Sequence, residues 1–293
     1  MIAIVGPTAS GKSALAMRVA ERIGGEIVSA DSRQVYRGMD IGTAKPSVEE
    51  RARVPHHLID VVDPGERYDV LRFQREGRAA LAAIRGRGRV ALVVGGTGLY
   101  VRALLDGLDL SAMPHDPVLR VELERDDPGA LYERLRAIDP GAAARVDPRN
   151  VRRVVRYLEV ATIRGAAPPG VPPAPAGAPP ALRIGLRPPR DALVAAIERR
   201  VRDMVAAGVL DEASALIARG VDPRLPAMSA HGYVHWAAHL RGEIDLETAT
   251  ARTARDVRAY SRRQMTWFRK DTAIRWYDPT AVDPLDAILQ AAA

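Results

Sequence analysis

The sequence has no cysteine among its 293 residues, which excludes disulfide bonds and thiolate metal sites. Its six histidines do not show the spacing of metal ligands. No apolar run approaches the ~20 residues that cross a bilayer, and the first ten residues indicate a strand that enters a loop, not a signal peptide. With 47% hydrophobic and 27% charged residues, we expect a folded, cytoplasmic protein that does not contact a membrane.

Acidic residues are in the minority. The chain has 43 Lys and Arg against 36 Asp and Glu, a net charge of +7, and almost all of the basic residues are arginine. Arginine binds phosphate through two parallel donors, so a polyanionic partner such as a nucleic acid is one explanation. Codon bias in a GC-rich genome is the other, and charge alone leaves both open.

Strand and helix patterns alternate along most of the chain. Such alternation predicts an α/β fold in which helices flank a parallel sheet. The predicted strands are Ile2–Val5, 26–30, 57–62, 89–94, Leu182–Leu186 and Ile274–Tyr277, and the long helices are 69–86, 191–207 and 248–270.

Two internal segments interrupt this pattern. Residues 113–164 have helical periodicity without strands, and the Asp-Pro pairs at 127–128, 139–140 and 147–148 mark helix boundaries there. Residues 165–180 are rich in Pro, Gly and Ala, which is typical of an exposed linker. We therefore predict a catalytic core formed by 1–112 and 181–293, with an all-helical insertion at 113–164.

A glycine-rich loop stands between the first strand and the first helix. It fits the P-loop pattern GxxxxGK[ST], whose backbone N–H groups, lysine and hydroxyl bind a diphosphate and its Mg²⁺. The alternative is a tight glycine turn, and the motif alone does not separate kinases and NTPases from enzymes that release diphosphate. The predicted diphosphate ligands are Gly6, Pro7, Thr8, Ala9, Ser10, Gly11, Lys12 and Ser13, with Ser13 also a ligand of Mg²⁺.

Further segments resemble one enzyme family over most of the chain. The longest, SADSRQVYRGMDIGTAKP at 29–46, matches nearly letter for letter. In family order there follow VPHHLID at 54–60, GGTGLY at 95–100, the group Arg153, Arg156, Leu158 and Glu159, and RQMTWFR at 263–269. On these motifs the sequence resembles the tRNA dimethylallyltransferases.

The resemblance implies a P-loop NTPase-like fold and a prenyl transfer reaction. The donor would be dimethylallyl diphosphate, with Mg²⁺ as cofactor. The acceptor would be N6 of the adenosine on the 3′ side of the anticodon, so the partner would be the anticodon stem-loop of tRNA. A monomer is the default expectation.

The resemblance also implies roles for individual residues. Asp31 would be the general base, or at least the hydrogen-bond acceptor, for N6, and Thr97 would form a hydrogen bond near the reacting centre; their alternatives are helix capping and a local turn. Arg120, a further arginine of the insertion, is a weaker candidate for the site. Lys45 and Arg263 could contact the diphosphate or be solvated cations. The residues expected to contact tRNA are Asp31, Ser32, Arg33, Gln34, Arg152, Arg153, Val154, Val155 and Arg156.

Two other functions share some of these features. A prenyltransferase that modifies free adenine nucleotides would need the same loop and aspartate, but it would not need an arginine-rich helical insertion. A small-molecule kinase or ATP-dependent switch would usually carry a Mg²⁺-binding Asp at the end of the fourth strand. Gly95, Gly96 and Thr97 stand there instead.

Overall fold

A computed structural model describes residues 1–108, 114–166, 181–222, 225, 227–230 and 232–292. The chain divides into two compact units, Met1–Asp106 with Gly177–Ala293, and Gly107–Ala176. We call the first the core unit and the second the helical unit. The helical unit contains the segment 113–164, and most of the predicted linker at 165–180 lies outside the described residues.

The core unit is built on a parallel sheet, as predicted. Its strands are β1 Ile2–Val5, β2 Glu26–Ser29, β3 His56–His57, β4 Ala91–Gly95, β5 Leu182–Leu186 and β6 Ile274–Tyr277. They lie in the order β3-β2-β4-β1-β5-β6, and every pair is parallel. The α/β class expected from the alternating pattern is confirmed.

Helices cover both faces of this sheet. In chain order the α-helices of the described residues are α1 Lys12–Ile23, α2 Val48–Arg53, α3 Val70–Gly86, α4 Gly98–Leu105, α5 Pro117–Leu123, α6 Pro128–Ile138, α7 Pro140–Ala144, α8 Val151–Arg164, α9 Arg190–Ala206, α10 Val209–Ala218, α11 Tyr233–Leu240, α12 Leu246–Phe268 and α13 Leu285–Ala292. Of these, α5 to α8 belong to the helical unit and the others to the core unit. Side chains alternate along a strand. Ile2 and Ile4 therefore pack with α1 and α13, whereas Ala3 and Val5 pack with α3 and α4. Among the helices that the structure describes, none is both long and apolar enough to cross a membrane.

The predicted strand at 57–62 is wrong in its extent. The strand ends at His57, because Leu58 and Asp60 adopt left-handed backbone conformations with φ of 63° and 56°. Residues in this conformation cannot continue a ladder. Val62 then forms one isolated parallel bridge with Tyr36, outside the strands of the sheet.

Three of the four Asp-Pro pairs in residues 114–164 begin helices. The carboxylates of Asp116, Asp127 and Asp139 accept hydrogen bonds from N–H groups in the first turns of α5, α6 and α7. Each following proline occupies the first helical position, where no N–H is needed. Helix α8 is capped by Asn150 instead, two residues after Pro148.

A buried carboxylate fixes the beginning of β2. The side chain of Glu26 is 3% exposed and accepts two hydrogen bonds from the Arg87 guanidinium, at 3.0 and 2.7 Å, while His57 Nε2 lies 2.7 Å from Oε2. The hydrogen bonds from Arg87, more than those from His57, lower the pKa of Glu26 to about 2. Because the folded protein holds Glu26 ionised more strongly than the unfolded chain does, the ionised carboxylate stabilises the fold fully above pH ~4.5. This stabilisation is lost as the pH falls through about 2.

We expect Glu26→Gln to lower the free energy of unfolding by about 3 kcal/mol at pH 7, since each pKa unit corresponds to ~1.4 kcal/mol. The difference from the wild type should shrink at pH 3. Denaturant titrations at both pH values would measure it, with the exposed Glu247→Gln as the matched control. Equal stability of the two variants at pH 7 would contradict this role of Glu26.

Candidate active site

Three loops meet at the carboxyl ends of adjacent strands. The phosphate loop, residues 6–13, follows β1; Asp31 follows β2; and Thr97 follows β4, which lies between them in the sheet. Ligands of open parallel sheets bind at this edge. A Cβ on Gly95 would lie 2.2 Å from Ala30 O, so glycine is required where the second and third of these loops approach each other.

The phosphate loop has the backbone of an anion site. Gly6 and Gly11 have φ of 142° and 89°, and a Cβ on Gly6 would lie 2.5 Å from Leu186 O. Gly11 stands at the N-cap of α1 and offers no side chain to the first N–H groups of that helix. These donors are therefore available to a phosphate. The Ser10 hydroxyl is buried without a hydrogen-bond partner among the described residues.

Lys12 and Asp31 line the same cavity, which we call the central cavity. Its volume is about 340 Å³, near the lower end of the ~300–1,000 Å³ of small-molecule sites. Lys12 Nζ donates to Pro7 O at 2.7 Å, and Asp31 Oδ1 accepts from Arg33 N at 2.8 Å. Burial and, to a smaller extent, nearby Arg200 lower the pKa of Lys12 to about 8, while Asp31 opposes them.

Arg200 is a cavity residue that the sequence interpretation missed. Helix α9 presents Ile197, Arg200, Val201 and Met204 to the central cavity, at the spacing of one helical face. Burial lowers the pKa of Arg200, and the charge of Asp31 opposes this shift. The available signal was an arginine on the apolar face of a predicted amphipathic helix.

Gln264 joins two of the three loops. Its Oε1 accepts from Thr8 N at 2.8 Å, and its Nε2 donates to Gly96 O at 3.0 Å. The side chain is buried and lines the central cavity. It therefore fixes the phosphate loop to the loop after β4, a role that only its place in a motif could have indicated beforehand.

Thr97 forms hydrogen bonds with Ser32 and Tyr260 and does not line the central cavity. Its Oγ1 accepts from Ser32 N at 3.0 Å and donates to Ser32 Oγ at 3.3 Å, and Tyr260 hydrogen-bonds to the same side chain. Thr97 is the N-cap of α4, but its side chain makes no capping bond. The hydroxyl thus holds the residue after Asp31, so Thr97 stays a candidate for the site through its effect on the position of the Asp31 carboxylate.

Gln34 lines the central cavity, but its side-chain amide is hydrogen-bonded to other groups of the protein. Its Oε1 accepts from Ser29 Oγ at 2.9 Å, and its Nε2 donates to Ala44 O at 3.1 Å. The side chain therefore links the end of β2 to residue 44 of the following loop. Arg33 also lines this cavity, close to Asp31.

Lys45 lines the central cavity, but its ammonium is bound by the protein. It donates to Tyr36 O at 2.5 Å, Asp40 Oδ1 at 2.6 Å and Asp60 Oδ1 at 2.5 Å, and the side chain is only 1% exposed. The diphosphate contact predicted for it would require these bonds to break. Arg263 is exposed, lies over the Tyr260 ring at 5.7 Å and does not line the cavity.

In the helical unit, Glu159 organises the predicted arginines. Its fully buried carboxylate accepts from Arg120 Nη2 at 2.5 Å and Arg156 Nη1 at 2.7 Å, and His115 Nδ1 lies at 2.9 Å. Arg153 donates to Tyr157 OH at 3.0 Å. Arg120 and Arg156 thus have structural roles within this unit.

Of the other residues of the helical unit predicted to contact tRNA, two are buried and two are exposed. Val154 and Val155 are 1% and 2% exposed and pack in its core, which leaves their side chains unavailable to a ligand. This corrects the contact expected of them, since the helix turns two of its five residues inward. Arg152 and Arg153 remain on the exposed face.

Ser13, the predicted Mg²⁺ ligand, lines the central cavity beside Lys12. Within the described part of the chain, no three His, Cys, Asp or Glu side chains form a cluster that could hold a metal. A single hydroxyl suits Mg²⁺, which takes most of its ligands from substrate phosphates and water at such sites. The residues present therefore fit an ion that binds together with a diphosphate.

A second cavity of about 860 Å³ adjoins the phosphate loop in the core unit. Pro7 lines it, and Ile197 lines both cavities. We call it the arginine groove, because five guanidinium groups line it against one carboxylate, that of Asp278. The five residues are Arg187, Arg190, Arg258, Arg262 and Arg269.

Comparison with known proteins identifies relatives over nearly the whole chain. The family model described as IPP transferase matches residues 34–271, and one described as isopentenyl transferase matches 1–59. A tRNA dimethylallyltransferase of Anaeromyxobacter dehalogenans is 52% identical over 96% of this chain and 97% of its own length. One from Thermomicrobium roseum is 46% identical over 96% and 86%.

Solved structures agree with these matches. The tRNA isopentenylpyrophosphate transferase of Bacillus halodurans superposes with a TM-score of 0.73 at 42% identity, covering 99% of this chain and 93% of that one. A eukaryotic dimethylallyltransferase acting on tRNA gives 0.76 at 26% identity, covering 100% and 77%.

Proposed function

The chain belongs to the IPP transferase family, and from that premise we propose that its core unit moves the dimethylallyl group of dimethylallyl diphosphate to N6 of an adenosine in tRNA. The modified base would be the adenosine on the 3′ side of the anticodon. The observation that supports this most is that Lys12 and Asp31 line one cavity. A diphosphate and an adenine could therefore meet there.

The phosphate loop would bind the donor. The N–H groups at the start of α1 are not capped by a side chain, and Lys12 adds an ammonium beside them. The loop itself, residues 6–13, contains no acidic residue that would repel a diphosphate. Arg200 adds a further cation to the lining of the same cavity. When bound, Mg²⁺ would help to neutralise the diphosphate, held on the protein side by the hydroxyl of Ser13.

Asp31 would handle the proton of the acceptor. The N6 amine is a weak nucleophile because its lone pair is shared with the ring, so it must be oriented and must lose a proton as it reacts. The C–N bond forms while the allylic C–O bond breaks, and diphosphate leaves with the electron pair. The proton passes to the carboxylate of Asp31, which Arg33 N and the Thr97–Ser32 contact hold in place.

The central cavity would admit a single base. Its volume of about 340 Å³ is too small for a folded nucleic acid, so the adenine must leave its stack to reach Asp31. The rest of the RNA would lie outside and meet arginines. We assign this contact to the arginine groove and to Arg152 and Arg153, and expect a monomer that acts on tRNA in the cytoplasm.

Transfer of a labelled group tests this function. The purified protein is incubated with radiolabelled dimethylallyl diphosphate and one of three acceptors: unmodified tRNA, AMP or ATP. We expect label in tRNA alone, at the adenosine next to the anticodon. Label in AMP or ATP with none in tRNA would identify a small-molecule prenyltransferase and refute the proposal.

The arginine groove should contribute electrostatically to tRNA affinity. We expect Arg262→Ala with Arg269→Ala to weaken tRNA binding and to reduce the slope of log K against log salt by ~1 for each phosphate that the groove no longer neutralises. The measurement is tRNA affinity from low to moderate salt, with the exposed pair Arg22→Ala and Arg85→Ala as the matched control. An unchanged slope in the groove variant would exclude this surface.

A further inference from the structure

Glu212 fills an anion site made by the backbone of the protein itself. This residue lies in the first turn of α10. Its Oε2 accepts from Asp40 N at 2.6 Å and Ile41 N at 2.8 Å, and its Oε1 accepts from Gly42 N at 3.0 Å and Tyr233 OH at 2.5 Å. Successive N–H groups that point into one concavity are a typical anion site.

The segment that Glu212 holds continues into the wall of the central cavity. Residues 42–45 line that cavity, whereas Glu212 and Tyr233 do not. The Tyr233 ring packs behind this wall so closely that a Cβ on Gly42 would lie 2.6 Å from it. Glu212 and Tyr233 therefore support the wall from the side away from the ligand.

A chain of hydrogen bonds connects this wall to the end of β2, two residues before Asp31. Ala44 O, in the wall, accepts from Gln34 Nε2, and Gln34 Oε1 accepts from Ser29 Oγ at the end of β2. Asp31 follows two residues later. A shift of residues 40–44 would thus move the groups that surround the incoming adenine and leave the phosphate loop, which is attached through Gln264, in place.

We propose that Glu212 is a positioning residue that sets the acceptor side of the central cavity. The inference rests on the proposed function, since it assumes that the base enters between this wall and Asp31. A carboxylate is needed because both of its oxygens face only donors. A glutamine would direct its own N–H group at one of them.

The test compares Glu212→Gln with the exposed Glu247→Gln, which changes the same charge elsewhere. We expect Glu212→Gln to lower kcat/KM for tRNA by about 10-fold or more, while the affinity for dimethylallyl diphosphate stays within ~2-fold. Glu212→Asp, which restores two acceptor oxygens, should recover part of the loss. Glu247→Gln should match the wild type.

The outcomes separate this inference from the function on which it rests. A Glu212→Gln enzyme with normal kcat/KM for tRNA would overturn the role of Glu212, and so would an equal loss of donor affinity, which would indicate a general structural effect. A wild type that does not modify tRNA would instead overturn the proposed function. Thermal unfolding of each variant distinguishes a local effect from a global one.

Discussion

Asp31→Asn should lower kcat by about 10²–10⁴-fold, the usual contribution of a general base. The amide keeps an oxygen that can accept from Arg33 N, so the local turn is preserved. It cannot take the proton that N6 loses. Single-turnover transfer from labelled dimethylallyl diphosphate to tRNA would measure the rate of the chemical step directly.

Binding must be measured in the same variant. We expect tRNA to be retained within about 3-fold of the wild-type affinity, since phosphate contacts outside the cavity dominate the binding of RNA. The matched control is Asp203→Asn, an exposed aspartate of α9. A normal single-turnover rate in Asp31→Asn would remove this carboxylate from the mechanism, and Asp31→Ala should show the same loss.

The second large effect concerns Lys12 and pH. Because burial, Arg200 and Asp31 together place the pKa of Lys12 at about 8, the free enzyme should lose this ammonium as pH rises through that value. In the proposed function the protonated form would bind the diphosphate more tightly than the neutral form, because only the ammonium carries a positive charge. We therefore expect kcat/KM for the donor to be maximal below pH 8 and to fall about tenfold per unit above it.

His56 and Tyr260, which also line the cavity, should not cause this fall in kcat/KM above pH 8. Burial lowers the pKa of His56, which is then already neutral, and burial raises the pKa of Tyr260, which stays protonated. Lys12→Ala should lower kcat/KM for the donor by about 10²-fold or more and abolish the alkaline limb of the remaining activity. A wild-type profile that is flat from about pH 7 to 9.5, or a limb that persists in Lys12→Ala, would contradict this role.

Local patterns were sufficient for much of the core unit. The apolar run Ile2–Val5, the glycines after it and the helical spacing from residue 13 fix the strand, loop and helix that form the phosphate loop. Asp31 and Thr97 could be placed at the same edge of the sheet because each follows a predicted strand and parallel strands end at one edge. Their direct proximity depends on the pairing of β2 with β4, which only the structure shows.

Contacts between distant segments could not be predicted in the same way. Glu212 bonds to backbone groups about 170 residues earlier in the chain, and no local pattern indicates which carboxylate will meet which loop. Arg200 is one of several arginines on α9, and only the packing of that helix decides which of them faces the cavity. Lys45 resembled a phosphate ligand because no local pattern indicates that Asp60, 15 residues away, binds its ammonium.

The strand that ends at His57 shows a further limit. Residues 57–62 have the composition of a buried strand, but two of them adopt left-handed backbone conformations that β propensity does not anticipate. The resulting bend allows Asp60 to reach Lys45 and Arg51. Burial would raise the pKa of Asp60, but the hydrogen bonds from these two cations lower it overall.

The most direct measurement is an experimental structure of the ternary complex with an unreactive thio analogue of dimethylallyl diphosphate and an anticodon stem-loop. We predict that the diphosphate lies against the N–H groups of Gly11 and Lys12, and that adenine N6 lies within hydrogen-bond distance of the Asp31 carboxylate, about 3–3.5 Å from the allylic carbon and opposite its leaving oxygen. An adenine bound outside the central cavity, or a diphosphate bound away from the phosphate loop, would contradict the proposed reaction.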